Sequence, residues 1–301
     1  MERGMARQVR ISFFAGLFSL LPVLTWAGPI HIGSISTKPA SELKKFLPFA
    51  TYLAQELGSQ GVDQGKVVVA QSIPQMAAYM REGRVDLFID SPFPALAVSR
   101  LSGSRLLLRR WKKGIPEYRT IIFVRHDSGI QRLADLKGKM IALEEPFSSS
   151  GYFIPKLVLF QAGLKPTPKT DSSEAVGPGE VGYVFSGDDE STMVWLLRGK
   201  VMAGATDDRT FLKEARGNMG SLRILHKSSP FPRHIVSHRA DLSPQLVTRI
   251  REVLLKMDQS EEGKKALRGF ELTTKFDEIP AEAMASLLKA GRLIDLEVGA
   301  R

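Results

Sequence analysis

Three consecutive serines, Ser148, Ser149 and Ser150, stand beside Gly151 in the stretch EEPFSSSGYFIP. A run typical of a strand (MIALEEP) precedes them, and a run typical of a helix (YFIPKLVLFQAGL) follows. A helix that begins directly after serines offers free backbone N–H groups and the positive end of its dipole, which suit a tetrahedral oxyanion. The same spacing also fits a helix cap with solvent-exposed neighbours, and local spacing does not separate the two interpretations.

Two further hydroxyl-bearing loops follow strand-like runs. Ser91 lies in the SPFP turn after VDLFID, and Ser34, Ser36 and Thr37 follow PIHIG. In open α/β sheets, ligands bind at the carboxyl ends of the strands. We therefore expect the three loops to converge on one cleft.

Acidic residues stand at two comparable positions. Asp188, Asp189 and Glu190 begin the helical run DDESTMVWLLRG, and Asp207 and Asp208 end the strand-like run VMAGATDD. Carboxylates in a first helical turn are favoured by the helix dipole, which is a purely structural role. In a cleft, one of them can instead receive an ammonium group or the hydroxyl of a phosphorus acid, and the sequence leaves both roles open.

Other chemistries find little support. His234 and His238 lie four residues apart in a β-like stretch, where that spacing does not form a helical metal pair. The string GPGEVG precedes a strand, whereas a dinucleotide-binding turn follows one. No nucleophile motif stands out, and the basic run LLLRRWKKG is interpreted as a solvated surface rather than a nucleic-acid groove. We expect no metal, no cofactor, no nucleic-acid partner and no catalysis.

The N-terminal residues have the pattern of a secretory signal. Arg3, Arg7 and Arg10 precede an apolar run, and small residues near Ala27 fit cleavage after residue 27. A retained membrane anchor is the alternative, disfavoured because the run is short. Removal of residues 1–27 leaves a net charge of about +8, which favours encounter with anions. The chain has no cysteine and therefore no disulfide or lipid-modified cysteine. We expect a soluble protein of a Gram-negative periplasm.

Strand and helix patterns alternate along the chain. This rhythm predicts an α/β fold with parallel sheets covered by helices on both faces. SELKKFLPFATYLAQELG has helical spacing, although Pro48 must kink or begin that helix. A second α/β series starts at MIALEEP, so two units lie in series, with the strands around residues 118–124 and 222–238 as candidate crossings. Residues 165–182, rich in Pro, Gly and Ser, are interpreted as a loop.

Residues 118–155 (YRTIIFVRHDSGIQRLADLKGKMIALEEPFSSSGYFIP) resemble the periplasmic substrate-binding proteins for phosphate, phosphite and phosphonate of ABC transporters, the PhnD-like family. The shared pattern is a tyrosine, a strand, DSGI, LADLKGK, a second strand and a Ser-Gly-Tyr helix opening. MREGRVDLFIDSPFPALAV, VFSGDDESTMVWLLRGKVMAGATDD and LRILHKSSPFPRHIV resemble the flanking segments of the family. The resemblance covers nearly the whole chain after the signal.

The resemblance implies a type II periplasmic binding protein fold: two α/β lobes joined by two crossing strands, with a ligand cleft between them. The predicted division is residues 1–27 for the signal, 28–120 with 225–301 for the first lobe, and 121–224 for the second. The serines would form the anion cradle, and Ser91 would donate from the opposite lobe. The predicted ligand residues are Ser148, Ser149, Ser150, Gly151, Tyr152, Ser91, Phe93, Thr37, Tyr118, Asp189, Glu190 and Asp207.

The chain departs from the family pattern at two places. The family often has a histidine where this chain has Asp188 and Asp189, and a tyrosine near the position of Phe93. A carboxylate in place of an imidazole disfavours a fully charged anion unless the carboxyl is protonated or meets an amine.

The predicted function is non-catalytic. A monomeric periplasmic binding protein captures a small oxyanion, a phosphonate or a phosphite- or phosphate-like compound, and delivers it to an ABC permease in the inner membrane. One alternative is a sensory module that presents its liganded form to a membrane receptor. Another is an enzyme on the same fold, which would need a nucleophile and base that the sequence does not reveal.

Overall fold

The computed structural model describes residues 28–291, and the predicted signal segment lies outside the described residues. No helix within residues 28–291 is both long and apolar enough to cross a membrane. The strands are β1 Gly28–Ile35, β2 Val62–Ala70, β3 Leu87–Asp90, β4 Arg105–Arg110, β5 Glu117–Tyr118, β6 Thr120–Arg125, β7 Lys139–Leu143, β8 Lys165–Pro168, β9 Glu180–Phe185, β10 Ala203–Asp207, β11 Leu222–Lys227, β12 Phe231–Pro232, β13 His234–His238 and β14 Phe276–Asp277. The helices are α1 Pro39–Glu56, α2 Ile73–Arg81, α3 Pro92–Ser102, α4 Ile154–Gln161, α5 Asp189–Leu197, α6 Asp208–Glu214, α7 Pro244–Lys256, α8 Glu261–Gly269 and α9 Ala281–Ala290.

The first sheet has the strand order β14-β4-β13-β3-β1-β2. Its strands β2, β1 and β3 are parallel, as the βαβ rhythm predicts, because a helix connects each to the next. The strands β13, β4 and β14 run antiparallel to their neighbours. The sheet is therefore mixed, and the prediction of a parallel sheet is correct only for its β2-β1-β3 half.

The second sheet has the strand order β11-β6-β10-β7-β9-β8. The strands β10, β7, β9 and β8 are parallel, whereas β6 is antiparallel to both β10 and β11. The edge strand β8 falls inside residues 165–182, so the interpretation of that whole segment as a loop is wrong. Two prolines hid the strand, because proline is compatible with a strand only where a backbone donor is not needed, as at an edge.

Two short strands cross between the lobes. β5 leads from β4 to β6, β12 leads from β11 to β13, and the two pair antiparallel with Tyr118 opposite Phe231. The predicted architecture of two α/β lobes joined by two crossing strands is confirmed. The candidate crossing ranges were too wide, because β6 and β11 belong to the second sheet. The lobe boundaries at residues 120/121 and 224/225 stay a prediction.

Two helices differ from their predicted extents at proline residues. The helix α1 runs continuously through Pro48 from its start at Pro39, because the buried face of the helix packs against the first sheet and α8. Phe49 of that face stacks on Phe270 with ring centroids 4.6 Å apart. The helix α3 begins at Pro92, inside the SPFP segment that was expected to break the chain. Proline suits a first helical turn, where its missing N–H has no intrahelical acceptor to lose.

One hydrophobic cluster continues through the crossing strands from one lobe to the other. Phe93 of α3 stacks on Phe153 of the second lobe at 5.7 Å between ring centroids. The same ring contacts the edge of Phe231 in β12 at 5.6 Å. A packed aromatic core therefore connects the lobes at the crossing strands.

Candidate functional site

The two lobes enclose a cleft of about 340 Å³. Its walls are formed by the loops after β1, β3, β7 and β10, the start of α5 and the segments that flank the crossing strands. These are carboxyl ends of strands, so the hydroxyl-bearing loops converge as the sequence predicts. The predicted ligand residues that line the cleft are Thr37, Ser91, Tyr118, Ser148, Ser149, Ser150, Asp189 and Asp207, whereas Phe93, Gly151, Tyr152 and Glu190 do not line it.

The serines form the first turn of a helix that is wider than an α-helix. Residues Ser149–Phe153 make a π-helical turn, called the serine turn, that leads directly into α4. Pro155 has no N–H, so it cannot bond to the carbonyl of Gly151, and that carbonyl accepts the amide of Glu144 at 3.0 Å instead. The cap is Ser148, whose Oγ accepts the amide of Gly151 at 3.0 Å and donates to Glu144 Oε2 at 2.5 Å.

This turn leaves donors available to a ligand. Among the hydrogen bonds of residues 28–291, none uses the amides of Ser149 and Ser150, and none uses the Oγ atom of Ser150. The carbonyl of Ser150 is held by Thr120 Oγ1 at 3.0 Å, which fixes the turn. Two amides and a hydroxyl therefore stay free at the cleft. The arrangement suits an oxyanion and is more than a cap with exposed neighbours.

Ser149 joins the two lobes. Its Oγ donates to Ser91 Oγ at 2.9 Å and accepts the amide of Phe93 at 3.0 Å. The ring of Phe93 is fully buried in the aromatic core, so the side chain does not stand in for a ligand-facing tyrosine. The contribution of Phe93 is its backbone amide, which positions the Ser149 hydroxyl.

Gly151, Tyr152 and Glu190 support or border the site. A Cβ on Gly151 would lie 2.4 Å from Glu144 Cβ, so glycine is needed for close packing. Tyr152 packs in an aromatic group with Tyr183 and Phe185 behind the serine turn. Glu190 is exposed in the first turn of α5.

The two aspartates at the start of α5 have different roles. Asp188 caps the helix, with Oδ1 accepting the amide of Ser191 at 2.8 Å, and this bond lowers its pKa. Asp189 faces the cleft and accepts a hydrogen bond from the Thr206 hydroxyl. Burial raises the pKa of Asp189 to about 6, with the charge of Asp207 adding to the shift.

Asp207 lines the cleft but is largely occupied by a structural role. Its Oδ1 accepts the amides of Arg209 and Thr210 at 3.1 and 3.2 Å, and its Oδ2 accepts the Thr210 hydroxyl at 2.7 Å. It therefore caps α6, which was the structural alternative for this residue.

Two half-buried carboxyls, Glu144 and Asp90, were not predicted as site residues. Burial raises the pKa of Glu144 to about 8, and the charge of the neighbouring Asp189 carboxylate contributes to that shift. Burial also raises the pKa of Asp90, the last residue of β3, to about 7. Asp90 ends a buried strand and Glu144 directly follows one, each beside a predicted serine loop, which is the signal that locates them. Near neutral pH, Glu144 holds its proton and can donate to an anion.

Polar contacts also span the mouth of the cleft. Thr37 Oγ1 donates to Glu145 Oε1 at 2.8 Å, and Lys38 Nζ lies 3.3 Å from Asp188 Oδ2. Thr37 thus contacts the opposite lobe in this structure.

Basic residues line the end of the cleft next to the crossing strands. Arg110 is fully buried because β4 lies inside the first sheet, and Lys112 lies just beyond it. The interpretation of LLLRRWKKG as a solvated surface is therefore wrong for these residues. Arg233 and His234, which were not predicted as site residues, lie beside them. Within residues 28–291, no group of three or more His, Asp or Glu side chains is arranged to hold a metal ion.

Two α/β lobes that enclose a cleft with free amides and hydroxyls define the class of two-lobed binding proteins. The sequence profile of the family described as "ABC transporter, phosphonate, periplasmic substrate-binding protein" matches residues 32–283. The chain therefore belongs to this family of periplasmic solute-binding proteins of ABC transporters, as the sequence motifs predict.

Individual relatives agree with the family. The "Phosphate-import protein PhnD" of Mycolicibacterium smegmatis is 25% identical over 233 residues, which cover 74% of this chain and 70% of that protein. The structure of XAC2383 from Xanthomonas citri bound to chloride ion has a TM-score of 0.84 and 26% identity, with 90% of this chain and 99% of that chain covered. A second structure of XAC2383 is bound to ATP and has a TM-score of 0.83 with 25% identity, covering 90% of this chain and 98% of that chain.

PhnD1 from Prochlorococcus marinus, in complex with methylphosphonate, shares the fold. Its structure has a TM-score of 0.65 with 18% identity and covers 88% of this chain and 98% of that chain. The fold is the type II periplasmic binding protein fold, and the predicted fold class is confirmed.

Proposed function

We propose that the protein captures a small phosphorus oxyanion, a phosphonate or a phosphite- or phosphate-like compound, between its lobes and delivers it to an ABC permease in the inner membrane. The observation that carries the proposal is the pair of free amides at Ser149 and Ser150 together with the free Ser150 hydroxyl at the cleft. Aligned neutral donors bind a phosphoryl group without a fixed counter-ion.

The neighbouring carboxyls match a ligand that exchanges protons. With a pKa of about 8, Glu144 is mainly protonated at neutral pH and donates to a phosphoryl oxygen. With a pKa of about 6, Asp189 is mainly ionised there and accepts from a P–OH group or an ammonium group. One carboxyl donates and the other accepts, which suits a singly protonated phosphorus oxyanion better than sulfate, which carries no proton at this pH.

The ligands of relatives are consistent with an anionic ligand. The mycobacterial relative is named for phosphate import, and XAC2383 is described with chloride and with ATP. All of these ligands are anions. They support an anion in the cleft of this protein.

The protein acts as a binding protein rather than an enzyme, in our proposal. Among residues 28–291, no hydroxyl of the cleft is hydrogen-bonded to a histidine that would activate it; the contacts are with carboxyls, amides or other hydroxyls. The remaining parts of the proposal are export directed by residues 1–27, a periplasmic location and a monomer that meets the permease in its liganded form.

A thermal-shift screen tests the proposal. The protein purified from periplasmic extracts is heated with phosphate, phosphite, methylphosphonate, 2-aminoethylphosphonate, ATP or sulfate. A ligand that binds only the folded state raises the melting temperature by mass action. We expect a shift with at least one of the phosphorus oxyanions and none with sulfate. Absence of a shift with every phosphorus compound would contradict the proposed ligand class.

A further inference from the structure

A group of five polar side chains lies where the first lobe meets the crossing strands. Arg110 ends β4 and is paired across the sheet with His234 of β13, while Arg233 directly precedes β13. Tyr118 lies in β5, and Lys112 lies in the turn after β4. All five line the cleft. These five residues form the hinge cluster.

The hinge cluster contains buried polar atoms without partners. Arg110 Nη1, Arg233 Nε, Tyr118 Oη and His234 Nδ1 are inaccessible to solvent and make no hydrogen bond of normal geometry in residues 28–291, although Tyr118 lies near the Ser149 side chain. A buried polar group without a partner is costly, and a buried charged donor is more so. Three of these atoms, Arg110 Nη1, Arg233 Nε and Tyr118 Oη, carry hydrogens that acceptor atoms of a ligand would satisfy.

The hinge cluster also has more positive charge than its carboxylates neutralise. Glu271 is shared by Arg110, Lys112 and Lys45, at 3.1, 2.9 and 3.7 Å. Lys45 has a second carboxylate, Glu42, at 3.2 Å, but Arg110 and Lys112 have only Glu271 within ion-pair distance among the described residues.

The carboxylate nearest to Arg233 is Asp207, at 3.9 Å, and its oxygens already accept the hydrogen bonds that cap α6. At that distance the contact is not a hydrogen bond. The Arg233 guanidinium rests instead over the ring of Tyr118, with its carbon 4.6 Å from the ring centroid. Arg233 is therefore a buried cation whose one carboxylate contact among the described residues is long and is shared with the cap of α6.

The pKa values of these groups reflect the same crowding. Burial lowers the pKa of Arg110 to about 10, against the attraction of Glu271 and with the charge of Arg233 lowering it further. Burial also lowers the pKa of Lys112, and the charges of Arg110 and Arg233 add to this shift. Burial and the three surrounding cations hold the pKa of His234 well below its usual value. An anion placed among these groups would relieve the repulsion.

We propose that the hinge cluster is a second anion subsite, and that the ligand is a phosphonate whose far end carries a carboxylate. The serine turn would hold the phosphonate, and Arg233, Lys112 and the Tyr118 hydroxyl would hold the carboxylate. This inference rests on the proposed function, which supplies the first anionic group. Because Tyr118 lies in the crossing strand β5 and Arg233 directly follows the crossing strand β12, the ligand would bind both lobes and the hinge at once.

Calorimetric titration of the protein with three phosphonates tests the inference. 3-Phosphonopropionate carries a carboxylate, methylphosphonate lacks a second charged group, and 2-aminoethylphosphonate carries an ammonium group. A charge-assisted pair with a buried cation corresponds to roughly a tenfold or larger gain in affinity. We expect 3-phosphonopropionate to bind at least about tenfold more tightly than methylphosphonate. Equal affinity, or tightest binding of the ammonium compound, would overturn the second subsite.

Two substitutions locate the carboxylate. Lys112→Gln leaves Glu271 paired with Arg110 and Lys45, and Arg233→Gln is the second variant should the first lose its fold. Each is expected to weaken 3-phosphonopropionate binding about tenfold more than it weakens methylphosphonate binding. Lys66→Gln, an exposed position on β2, is the matched control and should change the affinity for neither phosphonate.

Unchanged binding of 3-phosphonopropionate in both variants would refute the subsite. Failure of all three phosphonates to bind the unaltered protein would instead refute the proposed function itself.

Discussion

Ser150 differs from its two neighbours in having a hydroxyl with no partner among the described residues. Ser148 is engaged by Glu144 and Gly151, and Ser149 is held between Ser91 and the amide of Phe93. The hydroxyl of Ser150 is therefore the one that a ligand meets without breaking a bond within the protein.

Ser150→Ala should lower the affinity for the phosphorus oxyanion about tenfold, since it removes one hydrogen bond to a charged group. Ser149→Ala should also lower the affinity, because the contact with Ser91 is lost with it. Neither change should unfold the protein, which circular dichroism checks while calorimetry measures the affinity. Ser59→Ala, at an exposed position, is the control. Wild-type affinity in both variants would eliminate the serine turn as the anion site.

The raised pKa of Glu144 has a consequence for stability. The folded protein holds this proton up to about pH 8, whereas the unfolded chain releases it near pH 4.3. The stabilising contribution is therefore complete at low pH and is lost as the pH rises towards 8. We expect Glu144→Gln to flatten the decline in the free energy of unfolding between about pH 5 and pH 8. Urea titrations across this range measure the slope, with the exposed Glu56→Gln as control, and a slope equal to that of the wild type would argue against the assigned pKa.

The sequence was sufficient to bring together those cleft-lining residues that follow a strand. The serine turn, Ser91, Thr37 and Asp189 stand at carboxyl ends of strands or starts of helices, and chain order alone brings such residues together. The proximity of Arg110 to Arg233 and His234 could not be predicted, because it depends on the antiparallel pairing of β4 with β13. That pairing joins residues more than a hundred positions apart and leaves no local pattern.

At the scale of elements, the π-helical turn before α4 depends on close packing at Gly151. A Cβ at this position would lie 2.4 Å from Glu144 Cβ, 2.6 Å from Glu144 Oε2 and 3.1 Å from Ser148 Oγ. The main chain of the turn can approach β7 this closely only without a side chain.

Gly151→Ala should therefore destabilise the protein by about 1–3 kcal/mol through overpacking. It should also weaken anion binding, because Glu144 and Ser148 must move to admit the methyl group. Chemical denaturation and calorimetric titration measure the two effects. Gly179→Ala is the matched control, since a Cβ there meets nothing within 4 Å. A variant as stable as the control would show that the turn is not tightly constrained.

Helices and strands could be predicted from the sequence where the spacing of their apolar residues shows a clear period within the segment. The alternation of strands and helices follows from apolar spacing, and so does the α/β class. The wide first turn of α4 was not predictable, because it arises from Pro155 acting together with the amide of Glu144 from another element. The strand β8 was hidden because its proline content is that of a loop.

At the scale of the molecule, exposed contacts at the cleft mouth bias the relative position of the lobes. The Thr37–Glu145 hydrogen bond and the Lys38–Asp188 ion pair join opposite lobes. Each exposed contact of this kind is worth on the order of 0–1 kcal/mol, so together they shift the population of closed molecules only modestly.

The double variant Thr37→Ala/Lys38→Ala should have a larger radius of gyration without ligand and about two- to tenfold weaker binding. X-ray scattering and calorimetry measure these quantities. Thr248→Ala/Lys256→Ala makes the same chemical change on the exposed side of α7 and should leave both values unaltered. If the first variant scatters and binds as the wild type does, the mouth contacts do not influence closure.

The aromatic core that passes through the crossing strands makes the two lobes a single cooperative unit. If one lobe unfolded alone, the faces of Phe93, Phe153 and Phe231 that now touch would be left in water. Partial unfolding is thereby penalised, and a population of half-folded molecules should not accumulate. Scanning calorimetry should show one transition whose calorimetric and van't Hoff enthalpies agree. A binding protein built in this way can move its lobes and still resist proteolysis between them, since the connection between the lobes is itself part of the core.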